Sequence, residues 1–216
     1  MQISTTCRYK KVEENNVYES IKKLILQQAL PLGKRIYIEP LADELGVSNT
    51  PVREALIQLS TERIIKNEPY AGFFTKEVSE REIRNLYTLN LTLLELSLSL
   101  VRNDGQVPGM LKPPKFFEEQ SPNETNTPNI EVQILNDLFM HISKQSGNDD
   151  VIYGIRNIND RINIIRLQEY DLIPDWHDGL VKLCQLYHQK NIVELKHALK
   201  LYHERVIFFC LILYYH

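Results

Sequence analysis

The residues best spaced for chemistry lie in SNTPVREAL, residues 48–56, where Ser48, Asn49 and Thr50 stand just ahead of Arg53. If a helix opens there, Asn49, Thr50 and Arg53 crowd its exposed first turn, whose free N–H groups and positive dipole end suit a phosphate. An arginine on such a turn can bridge O6 and N7 of a guanine, and Asn49 and Thr50 can read a base edge or a phosphate. Asp137 and His141 lie four residues apart, hence on one face of a helix. That spacing could hold one divalent ion or be a plain surface pair. Cys7, Cys184 and Cys210 are odd in number and widely spaced, so neither a disulfide framework nor a thiolate zinc knot is expected.

The elements around the first group can be read from spacing. Val17, Ile21, Leu24 and Ile25 recur at helical intervals after Asn16, which forms a capping box with Glu19. ALPLGKRI, with its Pro and Gly, reads as a turn. A short helix from Glu39 to Leu45 is ended by Gly46. Ser48 or Thr50 can cap the next helix, Pro51 fits its first turn, and Val52, Leu56 and Leu59 form its buried stripe. IIKNEPYAGFFTKEV then reads as a small hairpin. Helix, helix, turn, helix and hairpin make a winged helix-turn-helix.

Ser79-Glu80-Arg81-Glu82 is a second capping box, opening a long helix with Ile83, Leu86, Leu89, Leu93 and Leu96. Residues 103–130, rich in proline, read as an irregular connection. Ile134–Gln145, Val151–Tyr170, Asp175–His188 and Val193–Tyr215 read as helices, with short breaks that favour antiparallel neighbours. The expected fold is mainly α: an arm over residues 1–15, a winged helix-turn-helix over 16–78, and an all-helical bundle over 79–216.

LADELGVSNTPVREAL, residues 41–56, resembles the GntR family of transcription regulators, in particular its FadR-like branch, whose recognition helix typically opens SRTPVREAL. The resemblance continues through the wing, where Gly72 follows Tyr70 and Ala71. Asn49 stands where the family commonly has Arg, as does Glu39 in the preceding helix. The resemblance implies DNA binding through Ser48, Asn49, Thr50, Arg53 and Gly72. Beyond the wing it implies an all-helical (FCD-type) effector and dimerisation domain.

NDLFMHISKQSGN, residues 136–148, looks like the family's D-x-x-F-H segment. The resemblance would add His177 and His203 to Asp137 and His141, a donor set suited to zinc, nickel or manganese. The separation of those two histidines exceeds the usual one by about a helical turn. Arg161 and Arg166 fall on the helix that faces the family's cavity and could clamp a carboxylate metabolite, or be ordinary surface charge. Asn90 takes the place of another cavity Arg.

Composition agrees with a soluble globular chain: 43% of its 216 residues are hydrophobic and 25% charged. The net charge of −3 excludes a uniformly basic surface, but residues 1–78 hold 11 Lys and Arg against 10 Asp and Glu, the less acidic part of the chain. No apolar run nears the ~20 residues a membrane span needs. Val206–Tyr215 reads as a buried terminal helix or dimer contact. With the cytoplasmic setting that the cysteines suggest, the resemblance implies a homodimer, in most such cases a repressor, that binds double-stranded operator DNA and responds to a small metabolite. Two alternatives remain open: a helical metal-dependent hydrolase using Asp137, His141 and His203, and a DNA-binding dimer without an effector.

Overall fold

The computed structural model describes residues 17–100 and 128–214. The chain divides into two compact units, one ending at Glu77 and the other beginning at Val78. The expected arm, the Asn16 cap and Cys7 lie outside the described residues.

In the first unit, α1 (Val17–Leu26) buries Val17, Ile21, Leu24 and Ile25, the stripe its spacing requires. α2 (Ile38–Leu45) ends at Gly46, which takes a left-handed φ of 68°. The Gly46 and Val47 N–H groups close back onto Asp43 and Ala42, so the chain reverses within two residues. α3 (Asn49–Thr61) follows, burying Val52, Ala55, Leu56 and Leu59 against α1 and α2. β2 (Ile65–Glu68) and β3 (Gly72–Thr75) form the expected hairpin, with Glu68 opposite Gly72 and Ile65 opposite Thr75.

ALPLGKRI is not only a turn. Arg35–Ile36 is a strand, β1, antiparallel to β3, so the sheet order is β1-β3-β2. Two residues are too few for alternation to show in sequence, and tertiary pairing supplies the signal instead. Thr75, 2% exposed, fastens this corner: its hydroxyl donates to the Pro31 carbonyl and accepts the Lys34 N–H.

The second unit is helical throughout its described residues: α4 (Glu80–Leu100), α5 (Pro128–Lys144), α6 (Asp149–Leu172), α7 (Trp176–His188) and α8 (Ile192–Tyr214). Residues 128–130, expected to be irregular, are the first turn of α5, where the missing N–H of Pro128 leaves no bond unmade. Residues 103–127 of the expected connection lie outside the described residues. Asn148 caps α6, its Oδ1 accepting the Asp150 and Val151 N–H groups, after a left-handed Gly147. At the start of α4, Ser79 Oγ accepts the Glu82 N–H, and the Glu82 carboxylate also accepts from Arg161 at 2.6 Å. The core joins Ile83, Leu94, Leu135, Phe139, Ile142, Ile155, Leu180 and Leu199 from five helices. α8 runs through the apolar terminal stretch, burying Val206 and exposing Phe208. Among the described residues no helix is long and apolar enough to cross a membrane.

Candidate functional site

Burial of Val52, Leu56 and Leu59 decides what α3 shows to the outside. Ser48, Asn49, Thr50 and Arg53 are all exposed. Ser48 occupies the N-cap position in an extended conformation, and its side chain makes no capping bond. The expected Ser48 cap is therefore absent, which leaves its hydroxyl and the first-turn N–H groups open at the positive end of a 13-residue helix. An anionic backbone is the ligand such an end attracts.

The hairpin carries Gly72 at φ 94°, a backbone conformation that side-chain-bearing residues rarely adopt, where the strand leaves the turn. Its tip presents Tyr70, fully exposed and itself at φ 64°. Arg35 of β1 lies beside Gly72 and stacks on Tyr37, 5.4 Å from the ring centroid. Tyr70 and Arg35 were not singled out by sequence, because an aromatic in a turn and a basic residue in a short connection carry no periodic signal.

The four expected metal donors do not converge. α5 turns Val132, Leu135, Leu138, Phe139 and Ile142 to the core, so Asp137 falls on the exposed side, where Gln133 Nε2 donates to it at 2.9 Å. His141 is half-buried, and burial holds its pKa down. His177 sits at the start of α7 with Nδ1 2.8 Å from Glu131 Oε1. His203 is 1% exposed and satisfied at both nitrogens: Nδ1–H donates to the Leu199 carbonyl at 2.7 Å, and Nε2 lies 2.9 Å from the Asn90 amide. Because Nδ1 carries the proton, Nε2 accepts, and the NH2 end of Asn90 must face it. Burial keeps this imidazole neutral, with its pKa lowered to about 3. Phe139 stacks on it at 5.7 Å. Among the described residues no three His, Cys, Asp or Glu side chains are grouped as a metal would need. The donor set does not fit a divalent ion.

The core holds a polar cluster instead. Arg166, fully buried, donates from Nη1 to two neutral amides, Asn136 and Asn159. Its plane lies over Phe139, 4.8 Å from the ring centroid. One turn on, buried Glu169 accepts from the Tyr87 and Tyr202 hydroxyls, the latter at 2.9 Å. Burial lifts the Glu169 carboxyl to about 7 against the opposing pull of the Tyr87 bond, Arg166 and the Tyr202 bond. Arg166 Nε and Nη2 and Trp176 Nε1 have no partner among the described residues. Beside the cluster, sharing Trp176 and Tyr202 with it, is a cavity of about 150 Å³ lined mainly by apolar groups including Leu135, Leu180 and Ala198.

Of the expected effector residues, Arg166 and Asn90 are in this core, but Arg161 ties α6 to the first turn of α4. Glu169, Tyr87 and Tyr202 were missed. Arg166 and Glu169 at i, i+3, directly after the stretch from Ile162 to Ile165, are the sequence trace of charges on a buried face.

Residues 13–75 match the family described as bacterial regulatory proteins, gntR family. Over 155 residues the chain is 26% identical to the HTH-type transcriptional regulator YdhC of Bacillus subtilis, covering 71% of this chain and 69% of that one. It is 28% identical over 136 residues to the Nta operon transcriptional regulator of Aminobacter aminovorans, covering 62% and 64% of the two chains. Among solved structures, E. coli McbR/YncC superposes with a TM-score of 0.60 at 19% identity, over 94% of this chain and 99% of that one. A GntR regulator from Rhodococcus sp. RHA1 superposes with a TM-score of 0.69 at 15% identity, over 92% and 97%. At such identities the superpositions speak for the fold, a winged helix followed by a helical unit, while the curated relatives are regulators rather than enzymes. The chain therefore carries an N-terminal winged helix-turn-helix of the gntR family, the DNA-binding domain of transcriptional regulators, followed by a helical C-terminal unit.

Proposed function

We propose that the chain works as a homodimeric repressor whose helical unit binds a small metabolite and so changes its hold on operator DNA. Ser48, Asn49, Thr50 and Arg53 enter the major groove, and the wing bearing Gly72 and Tyr70 follows the backbone. One reading head buries little surface, so specificity needs two half-sites and two chains. Leu89, Leu96 and Leu100, each at least 41% exposed, fall on one face of α4 and supply an apolar stripe for a second copy.

The observation that carries the effector reading is the buried polar cluster around Arg166 and Glu169, which shares Trp176 and Tyr202 with a neighbouring cavity. Buried polar atoms without partners are rare in a folded core, and a ligand is one way to complete them. A volume of about 150 Å³ matches cavities known to take a single small ring. The donors that a metal-dependent hydrolase would need are dispersed, which leaves the effectorless dimer as the second reading. Operator binding measured with and without fractionated small metabolites separates the two. A fraction that shifts the wild type but not Arg166→Met supports an effector in the core, and failure of every fraction favours the second reading.

A further inference from the structure

The pairing of β1 assembles a pattern on the outward face of the wing sheet. Arg35 of β1 and Lys66 of β2 both stand opposite Phe74 of β3, so the three form one row across the sheet. Their neighbours Ile36, Phe73, Thr75 and Ile65 alternate to the other face and are buried. Arg35 and Lys66 are exposed, and among the described residues no carboxylate pairs with either. Arg35 is also held in place. Its guanidinium lies over the Tyr37 ring, 5.4 Å from the centroid, which sets its plane. Its Nε and Nη2 edge lies toward Gly72: a Cβ on that residue would stand 3.7 Å from Nε and 3.6 Å from Nη2. Apart from the two residues flanking Gly72, no other described atom comes within 4 Å of that point. The glycine therefore leaves open the space beside a two-donor arginine edge, the edge that grips a phosphate through two parallel bonds.

We propose that this space holds one phosphate of the duplex backbone, bound by the Nε and Nη2 edge of Arg35 above Gly72, with Lys66 adding a second charge along the same row. This contact rests on the DNA-reading role of the first unit and adds an anchor outside α3. A phosphate contact carries no base preference, so it fixes the head's register on the duplex while residues 48–53 meet the bases. Tyr37 is a positioning residue, because its ring keeps the Arg35 edge aimed at the space over Gly72. Glu68, opposite Gly72 on β2, places a carboxylate on the same face and opposes the phosphate.

The test is the salt dependence of binding to a fluorescein-labelled duplex of arbitrary sequence, read by anisotropy with the full-length protein. Arg35→Gln should lower the slope of log affinity against log salt by about one ion per bound chain, and Arg35→Gln with Lys66→Gln by about two. The loss should be alike on unrelated sequences. Arg35→Lys keeps the charge but not the two-donor edge, so it should keep the slope and still bind several-fold more weakly. Tyr37→Leu should behave as Arg35→Lys does, Tyr37→Phe should match the wild type, and Glu68→Gln should tighten binding. These positions are exposed, so thermal unfolding should be unchanged in each variant. An unchanged slope in Arg35→Gln would overturn the phosphate contact, and wild-type affinity in Arg35→Lys would overturn its two-donor geometry. If Arg53→Ala weakens binding while Arg35→Gln does not, this contact fails and the reading head stands. A wild-type protein that binds no duplex removes both.

Discussion

His203 and Asn49 show how one side chain can depart from a family expectation for opposite reasons. His203 is spent on structure: its two nitrogens are used by Leu199 and Asn90, and its ring is stacked on Phe139. Its pKa, lowered by burial to about 3, means that the unfolded chain takes up a proton below the usual histidine value of 6.5 while the folded one does not. Stability contributed by His203 is therefore present above pH 6.5 and lost as pH falls toward 3. Glu169 has the opposite sign: raised to about 7, it favours the folded state at low pH and loses that contribution between about 4.5 and 7. Urea unfolding of His203→Gln between pH 4 and 7 should show a shallower loss on the acid side than wild type. An identical pH slope would mean that His203 is not the group responsible. Asn49 is open at the tip of α3, uncharged where the family commonly has Arg. Asn49→Arg should tighten binding to non-specific duplex and raise the salt slope by about one ion, read from affinity against log salt.

At the level of elements, the reversal between α2 and α3 is the most demanding piece of backbone in the first unit. Gly46 at φ 68° allows it, and Gly46→Ala should cost about 1–2 kcal/mol in thermal or urea unfolding. A loss near zero would mean that the turn relaxes without strain. Much of this was legible in the sequence, because Val52, Leu56 and Leu59 fix the buried face of α3 and so the exposure of Arg53. β1 was not, since its two residues gain their conformation from pairing with β3. The helices of the second unit were legible for the same reason as α3, to within a few residues at the ends. Their interior was harder: i, i+4 spacing places Asp137 and His141 on one face but does not say which. The leucines and Phe139 claim the inward side of α5, and among its polar residues Asn136 reaches Arg166. Apart from Asn159, two turns back on the same helix, the partners of Arg166 and Glu169 come from α4, α5 and α8, long-range pairings that no local pattern encodes.

At the level of the whole molecule, the proposed function needs two chains. Leu96→Glu places a charge in the exposed stripe of α4 without disturbing buried Leu94 or Leu98, so it should shift the protein toward monomer in sedimentation velocity while leaving its helicity intact. An unchanged dimer would move the interface elsewhere, and a wild-type monomer that bound operator tightly would remove the need for one. The DNA-reading head and its contact turn, residues 48–53, are probed by selecting bound duplexes from a randomised library with the full-length protein. The affinity of the winning duplex is then measured for wild type and Arg53→Ala. Enrichment of two inverted half-sites and a loss of roughly 1–3 kcal/mol for the variant, with helicity unchanged, are expected. No enrichment, or equal affinity in a folded Arg53→Ala protein, would contradict that assignment of the contact turn.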